Sequence, residues 1–321
     1  MISYKKLVRD IDLDKKIYIA FSGGVDSTAL LYLFNDLKKK DSLSIEAIHV
    51  NHNLSKENKK WENHCASVCY ELGIKLHIRS VDIKVSGEGL ESAARKARYN
   101  IFEELLEENE QILLGHHSDD VAETFFLRLF RGTGIQGLEG PKIKRKVGKG
   151  YLIRPLLNYS KQELLKYAKE NDISFIEDST NFEINQDRNF IRNKLIPIIE
   201  KKWINVLDRI SSTSSNIRQR NELFEDLLKK EFNSLLKDGL HVKELKKLDH
   251  SIIKELIRLS IREQGVALPN KKVTDEIIKT FISSNPGPKS KVSWSRADKD
   301  LPSGEITYKN GYIIISKVMP I

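Results

Sequence analysis

The chain has 321 residues, of which 40% are apolar and 31% charged, and its formal net charge is +9. No apolar run approaches the roughly 18 residues that a membrane-spanning helix needs, and the N-terminus has no stretch of secretory-signal length. Two cysteines, Cys65 and Cys69, are too few for a disulfide framework and favour a reducing compartment. We therefore expect a soluble, cytoplasmic protein of two domains, at about 150 residues for each domain.

The first 140 residues alternate short β-branched apolar runs with longer amphipathic stretches, the pattern of a parallel sheet covered by helices. The runs predict strands at 17–21, 44–50, 75–81 and 111–115, and helices at 26–39, 57–72, 91–107 and 119–130. This order indicates an α/β fold with a Rossmann-like, doubly wound parallel sheet. Because ligands bind at the carboxyl ends of the strands in such sheets, we expect the functional site there.

After Gly132 the pattern changes to a glycine-rich loop, a basic run, a short apolar stretch and then helices. The helices are predicted at 161–171 and from 190 to about 236, with a bend near Pro197 and a linker or junction at the serine cluster 211–215. The tail combines helices at 242–264 and 271–283 with β-like runs at 291–295 and 308–317. We predict two domains, residues 1–215 with a helical extension and a small α+β domain at residues 216–321.

The positive charge lies entirely in the later part of the chain, because residues 1–140 carry a balance of −3 and residues 141–321 a balance of +12. The densest run contains no acidic residue and consists of Lys142, Lys144, Arg145, Lys146, Lys149 and Arg154. A basic surface attracts polyphosphate backbones whatever their sequence. The alternative is that these side chains only solvate the surface.

A glycine turn follows the first predicted strand directly and opens a helix; its residues are Ser22, Gly23, Gly24, Val25, Asp26 and Ser27. Its glycines allow a tight turn with inward N–H groups, and its hydroxyls and helix N-terminus complete a phosphate cradle. It is not a Walker A loop, since GxxxxGK[ST] does not occur in the chain. A bare phosphate would be repelled by Asp26, so we expect Mg²⁺ between them. The alternative is a plain helix cap.

A second constellation, GHHSDDVAET at residues 115–124, also lies where a predicted strand passes into a helix. Asp119 and Glu123 are four apart and share a helical face, which suits either Mg²⁺ or a cationic amine. A histidine here is expected to contact phosphate or a developing oxyanion rather than zinc. The alternative is that the two aspartates only cap the helix.

The segment at residues 22–27 (SGGVDS) resembles the PP-loop of the ATP pyrophosphatases, which adenylate a carbonyl oxygen, release pyrophosphate and then displace AMP with a nucleophile. Three further stretches are similar to motifs of the tRNA(Ile)-lysidine synthetase family: 48–54 (IHVNHNL), 131–140 (RGTGIQGLEG), and 178–181 (DSTN) with 188–192 (RNFIR). The chain is identified as a member of this family over nearly all of residues 15–200. One departure is Ser55, where the family usually has arginine.

The resemblance implies a PP-loop ATPase fold and an enzyme that uses ATP and Mg²⁺ to join free L-lysine to the wobble cytidine of the CAU-anticodon tRNA(Ile). It implies that the residues of the 22–27 loop hold the pyrophosphate portion of ATP, and that backbone at Ala20 and Val50 binds adenine. Asp26 and either Asp119 or Asp120 would position Mg²⁺. Compared with longer members, the chain would be a short form without a second C-terminal domain.

Further roles are implied for side chains outside the loop. Arg95 and Arg98 would clamp phosphate or the activated cytosine, while His116 and either Arg188 or Arg192 would stabilise charge as AMP leaves. Glu123 would hold the amine end of free lysine. The residues expected to bind the tRNA are Lys142, Lys144, Arg145, Lys146 and Arg188.

Three other functions remain open at this point. A tRNA thiolase of the same superfamily would need cysteines to carry sulfur or a cluster, and Cys65 and Cys69 form CxxxC on a predicted helix. A non-catalytic RNA-binding protein would not need both constellations intact. A small-molecule amidating synthetase is disfavoured because the chain carries no glutamine-hydrolysing domain. A homodimer is possible on any of these readings.

Overall fold

The computed structural model describes residues 2–41, 43–53, 57–83, 90–177, 187–295 and 301–318. Ser55 and the 178–181 motif lie outside the described residues. The chain forms two compact units, Met1–Arg218 and Gln219–Ile321. No helix in the described ranges is long and apolar enough to cross a membrane.

The first unit is built on a six-stranded sheet. Its strands are β1 (Ile17–Ala20), β2 (Ile45–Asn51), β3 (Lys75–Ser80), β4 (Gln111–Leu113), β5 (Lys144–Val147) and β6 (Gly150–Ile153). Their order is β3-β2-β1-β4-β6-β5, with only β5 antiparallel to its neighbour. The order extends outward from β1 in both directions, so the predicted doubly wound parallel sheet is confirmed.

Helices cover both faces of this sheet because alternate strand residues point to opposite sides. The first six helices in chain order are α1 (Tyr4–Leu7), α2 (Val25–Asp41), α3 (Asn58–Glu71), α4 (Leu90–Leu105), α5 (Ser118–Phe130) and α6 (Lys161–Glu170). On β1, Ile17 and Ile19 pack into a core with α2, α3 and α6. Tyr18 packs instead with Tyr99 and Phe102 of α4.

The sequence predicts no strand in the basic run, yet residues 144–147 form β5. Its sequence, KRKV, lacks the apolar alternation that marks a strand, and the strand forms by pairing with β6. A two-residue turn joins them, and Gly148 adopts a φ of 53° there. The structure therefore places much of the basic run on an edge strand of the sheet.

The helical region after α6 differs from the prediction in where it breaks. It comprises α7 (Asp187–Phe190), a π-helical turn (Ile191–Leu195), α8 (Ile196–Glu200) and α9 (Val206–Glu231). The break follows Glu200 rather than occurring at Pro197, which occupies the first turn of α8 as proline can. The predicted junction at 211–215 is wrong, because α9 continues through it. Ser214 is fully buried there, so tertiary packing outweighs the weak helix propensity of serine.

The second unit is α+β, as predicted. Its elements are α10 (Asn233–Lys237), β7 (Leu240–His241), α11 (Val242–Leu245), α12 (His250–Glu263), α13 (Lys271–Ile278), a π-helical turn (Lys279–Ser283), β8 (Lys291–Trp294), β9 (Ser303–Lys309) and β10 (Tyr312–Val318). The β-like run predicted at 308–317 is only partly right, since it spans the end of β9, a turn and most of β10. Asn310 and Gly311 have φ values of 51° and 92°, as a tight hairpin turn requires.

Candidate active site

Two strand ends meet at the carboxyl edge of the sheet in the first unit. The chain leaves β1 through the predicted phosphate loop into α2, and it leaves the adjacent β4 through Gly115, His116 and His117 into α5. A Cβ on Gly115 would lie 2.9 Å from the carbonyl carbon and oxygen of Asp26. The two predicted constellations are therefore in direct contact.

The phosphate loop is held in shape by its own hydroxyl groups. Ser27 Oγ accepts from the Ser22 backbone N–H (3.2 Å) and donates to the Gly24 carbonyl (3.0 Å). Gly23 adopts a φ of 84°, and its carbonyl accepts from the backbone N–H of Ile176 (2.8 Å). The loop is thus fixed in a turn at the N-terminus of α2, where backbone N–H groups and the helix dipole favour an anion.

Replacing Gly115 by alanine is expected to disturb the phosphate loop from outside it. The new methyl group would overlap the backbone at Asp26, so the loop must shift to accommodate it. We expect the free energy of unfolding to fall by about 1–3 kcal/mol, measured by urea denaturation. Gly134→Ala is the matched control, because nothing lies within 4 Å of its Cβ position. Equal unfolding free energies for the two variants would show that the close approach has no role.

His117 lies among three carboxylates. Its ring nitrogens are 3.6 Å from Asp26 Oδ2, 3.5 Å from Asp119 Oδ1 and 3.6 Å from Asp120 Oδ2, and the residue is 1% exposed. Burial alone would lower its pKa, but the carboxylates, Asp120 foremost, outweigh burial and raise the pKa of His117 to about 10. His117 is therefore an imidazolium at neutral pH.

His116 is in the opposite charge state. Burial lowers its pKa well below the usual range, and the nearby guanidinium groups of Arg154, Arg188 and Arg95 act in the same direction. Arg154 Nε donates to His116 Nδ1 (3.0 Å), so the ring proton of this neutral histidine is on Nε2. His116 can thus donate a hydrogen bond from Nε2, the atom that the oxyanion contact predicted from the sequence would use.

The predicted metal and lysine-binding carboxylates already have protein partners. Asp119 Oδ1 accepts from the Lys161 backbone N–H at the start of α6 (3.0 Å). Asp120 Oδ2 accepts from the His117 backbone N–H (3.0 Å), so Asp120 does cap α5, the alternative noted from the sequence. Burial opposes ionisation of Asp120, but His117 and Arg188 hold its pKa far below the usual range.

Glu123 is 1% exposed and accepts hydrogen bonds from two arginines. Arg188 Nε donates to its Oε2 (2.7 Å), while Arg192 donates from Nε to Oε1 and from Nη2 to Oε2 (2.9 Å). Arg188 Nη2 also donates to Asp120 Oδ1 (2.9 Å). The structure thus brings together Glu123, Arg188 and Arg192, and a lysine ammonium could reach Glu123 only by displacing these guanidinium groups.

The two arginines predicted on α4 have separate neighbours. Arg95 Nη2 donates to the Tyr99 hydroxyl (3.1 Å), and its guanidinium lies 5.0 Å from the Tyr99 ring centroid. Arg98 lies near His52 at the end of β2, where burial first, and then the Arg98 charge, lower the pKa of His52 to about 4. Both side chains therefore approach the carboxyl edge of the sheet.

Ala20 and Val50, predicted to present backbone to adenine, lie in the paired strands β1 and β2 at the same edge. Beside them His49 Nδ1 donates to the Phe21 carbonyl (2.9 Å) and lies 3.4 Å from Cys65 Sγ. Cys65 and Cys69 are free and buried. Burial raises the pKa of both thiols to about 12.

The glycine-rich loop at 132–140 is anchored by residues that the sequence analysis missed. Ser214 Oγ donates to the Leu138 carbonyl (2.9 Å), and Arg218 Nη2 donates to the carbonyls of Glu139 (2.8 Å) and Pro141 (3.1 Å). Gly140 has a φ of 70°, and a Cβ there would lie 2.8 Å from Ser214 Oγ. The contact falls within residues 211–215, which were predicted as a junction. The sequence carries no local signal for it, because Ser214 and Leu138 are far apart in the chain.

Comparisons with known proteins agree with this geometry. A sequence profile described as a PP-loop domain matches residues 1–199. The tRNA(Ile)-lysidine synthase of Buchnera aphidicola subsp. Acyrthosiphon pisum is 38% identical over 279 residues, which cover 85% of this chain and 63% of that protein. The tRNA(Ile)-lysidine synthase of Wigglesworthia glossinidia brevipalpis is 34% identical over 280 residues, covering 84% and 69%. The chain belongs to the tRNA(Ile)-lysidine synthase family of PP-loop proteins.

The family predicted from the motifs is thereby confirmed. The tRNA(Ile)-lysidine synthase of Coxiella burnetii is a third relative, 35% identical over 274 residues, which cover 85% of this chain and 61% of that protein. The chain spans less than two thirds of the length of the Buchnera and Coxiella relatives. Among solved structures, a U34-tRNA thiolase from Methanococcus maripaludis matches with a TM-score of 0.54 and 20% identity, covering 66% of this chain and 76% of that one. That likeness shows the fold alone.

Proposed function

We propose that this protein joins free L-lysine to the wobble cytidine of the CAU-anticodon tRNA(Ile), consuming ATP and releasing pyrophosphate and AMP. The observation that carries the proposal is the direct contact between the phosphate loop and the Gly115-His116-His117 strand end. This contact supports the proposal because it brings the predicted phosphate loop together with a neutral hydrogen-bond donor and a set of arginines. Family membership favours lysine as the nucleophile.

The first step is adenylation of the cytosine. The 2-keto oxygen attacks the α-phosphorus of ATP, an O–P bond forms, and pyrophosphate leaves. The loop residues 22–27 hold the departing pyrophosphate, and backbone at Ala20 and Val50 binds adenine. Arg95 and Arg98 clamp phosphate or the activated ring. The cytosine must first leave the stacked anticodon loop to reach this edge of the sheet.

The second step is attack by lysine. The ε-amine bonds to C2 of the activated ring and loses a proton, and AMP departs with the former keto oxygen. His116 donates a hydrogen bond from Nε2 to the oxygens on which charge develops. Because its pKa is low, the ring is neutral and acts as a hydrogen-bond donor, not as a proton donor. Arg188 and Arg192 add positive charge, and Glu123 orients them by accepting their hydrogen bonds. The sequence prediction that Glu123 itself holds lysine stays open.

Mg²⁺ fits beside the phosphate loop. Asp26 Oδ1 is buried and has no hydrogen-bond partner among the described residues, and its orientation at the loop suits a cation shared with phosphate. No group of three or more His, Cys, Asp and Glu in the described ranges could hold a metal ion alone. Mg²⁺ commonly takes one or two carboxylates together with substrate phosphates and waters. Asp26 would hold the ion, with Asp119 second, and the ion would neutralise charge on the phosphates.

The tRNA partner is proposed to contact Lys142, Lys144, Arg145, Lys146 and Arg188. Action on tRNA agrees with a cytoplasmic location. The possible homodimer is a separate prediction, which light scattering of the purified protein would test.

A tRNA thiolase, unlike the proposed enzyme, would need cysteines that are accessible and reactive. Because both thiols are buried with raised pKa values, we expect neither to react with a thiol reagent such as DTNB in the native protein at pH 7.5. Both should react in denaturant. Rapid labelling of native Cys65 or Cys69 would contradict this expectation and favour sulfur chemistry.

The proposed function is tested by a single-turnover incubation with ATP·Mg²⁺, radiolabelled lysine and the CAU-anticodon tRNA(Ile). We expect label on the RNA and one AMP per lysine incorporated. The control RNA carries uridine at the wobble position and should acquire no label. AMP release without label on the RNA would overturn lysine as the nucleophile, and RNA binding without AMP would favour a non-catalytic RNA-binding protein.

A further inference from the structure

Strand β5 divides the basic run between two faces of the sheet. Lys144 and Lys146 are exposed, and Lys144 lies over the Tyr151 ring at 4.7 Å. Arg145 and Val147 point the other way, because successive strand residues alternate. Val147 packs in the core that includes Tyr99 of α4. The run is therefore not one uniform patch, and only Arg145 of these three basic residues is directed at α4.

Arg145 stacks on Tyr99, and part of its guanidinium forms no hydrogen bond with the described residues. Its guanidinium carbon lies 4.6 Å from the Tyr99 ring centroid. Its Nε and Nη2 atoms are buried and have no hydrogen-bond partner within the described residues. These two atoms form one edge of the guanidinium, the edge that binds two oxygens of a carboxylate or phosphate at once. A buried fork of this kind without a protein partner is costly unless a water molecule or a ligand satisfies it.

The surroundings of this fork are strongly positive. Arg95 lies over the same Tyr99 ring, and Arg154 Nη2 reaches the Tyr99 hydroxyl (3.4 Å) while its Nε holds His116. Three guanidinium groups thus converge on one phenol next to the candidate catalytic histidine. Such a cluster attracts an oxyanion.

We propose that Arg145 binds a phosphodiester of the RNA next to the target cytidine and so fixes that nucleotide at the active site; the inference rests on the proposed function. The triphosphate of ATP is the poorer candidate. Strand β5 is three strands from β1, the strand that leads into the phosphate loop, and a spacing of ~4.8 Å separates these two strands by roughly 14 Å. The neighbouring Lys144 and Lys146 extend the positive surface outward, as a continuous RNA backbone requires. The carboxylate of free lysine is also an oxyanion that a guanidinium binds, and the experiment below distinguishes it from an RNA phosphate.

The test uses the full chain and anticodon stem-loops of the CAU-anticodon tRNA(Ile), in which single phosphates flanking the wobble nucleotide are replaced by uncharged methylphosphonates. We expect one replacement to weaken binding to the wild type about tenfold. Arg145→Gln should weaken binding of the unmodified RNA by a similar factor. The affinity of this variant should no longer change when that phosphate is replaced. Lys166→Gln, whose side chain on α6 is 74% exposed and pairs with Glu170, should stay within about twofold of wild type and keep the sensitivity.

Arg145→Lys retains the charge without the fork and should give an intermediate affinity, with an unchanged thermal unfolding midpoint as the check on folding. The inference is overturned if Arg145→Gln remains sensitive at every phosphate. It is equally overturned if the variant raises the KM for lysine or ATP while RNA affinity stays constant. A wild type that binds the stem-loop but incorporates no lysine would instead refute the proposed function.

Discussion

Replacing Asp26 by asparagine is expected to reduce AMP formation by a factor of about 10²–10³ with little change in stability. The substitution preserves the size of the side chain and removes the charge at the phosphate loop. Asp26 Oδ2 faces His117 (3.6 Å) and Lys161 (3.8 Å), and Oδ1 is the buried atom left for a cation. Single-turnover release of AMP from labelled ATP, in the presence of tRNA and lysine, measures the effect.

Asp36→Asn provides the control on the same helix. Its side chain is 55% exposed and lies away from the loop, so AMP formation should stay within about twofold of wild type. Comparable losses in the two variants would mean that helix α2 tolerates neither change, and the assignment of Asp26 to the phosphate site would lose its support.

Replacing Glu123 by glutamine is expected to lower the free energy of unfolding by about 3 kcal/mol. The carboxylate is buried and binds two guanidinium groups, and the neutral amide leaves both without their counter-charge. The value lies toward the lower end for a broken buried ion pair because the side chains of Arg188 and Arg192 are 26% and 30% exposed. Urea denaturation followed by circular dichroism measures it.

Glu107→Gln is the matched control, since its side chain is 69% exposed and pairs with Lys149 at the surface. It should cost less than about 1 kcal/mol. The same pair of variants tests the two roles of Glu123. If the carboxylate binds the substrate ammonium, as predicted from the sequence, Glu123→Gln will raise the KM for lysine and leave unfolding nearly unchanged.

The parallel sheet and the phosphate loop could be predicted because their signals are local. Buried strands such as β1 and β2 are apolar runs bounded by turns, and the loop carries its chemistry in six consecutive residues. The family motifs then indicated which reaction to expect. These features need no knowledge of how distant segments pack.

The contacts between segments could not be predicted in the same way. Strand β5 has no apolar pattern, and its register with β6 decides that Arg145 faces Tyr99 while its neighbours do not. Likewise, the serines at 211–215 read as a break, yet Ser214 is buried against the glycine-rich loop. The opposite charge states of His116 and His117 also arise from residues far apart in sequence, including Asp26 and Arg154.

The most direct test of the account is to follow the oxygen of the target base. A tRNA(Ile) carrying ¹⁸O at the 2-keto position of the wobble cytidine is incubated with the protein, ATP·Mg²⁺ and lysine, and the released AMP is analysed by mass spectrometry. Adenylation of that oxygen predicts AMP that is two mass units heavier, in an amount equal to the lysine incorporated. AMP without the heavy isotope would show that its phosphate never bonded to the base, and would contradict the proposed mechanism.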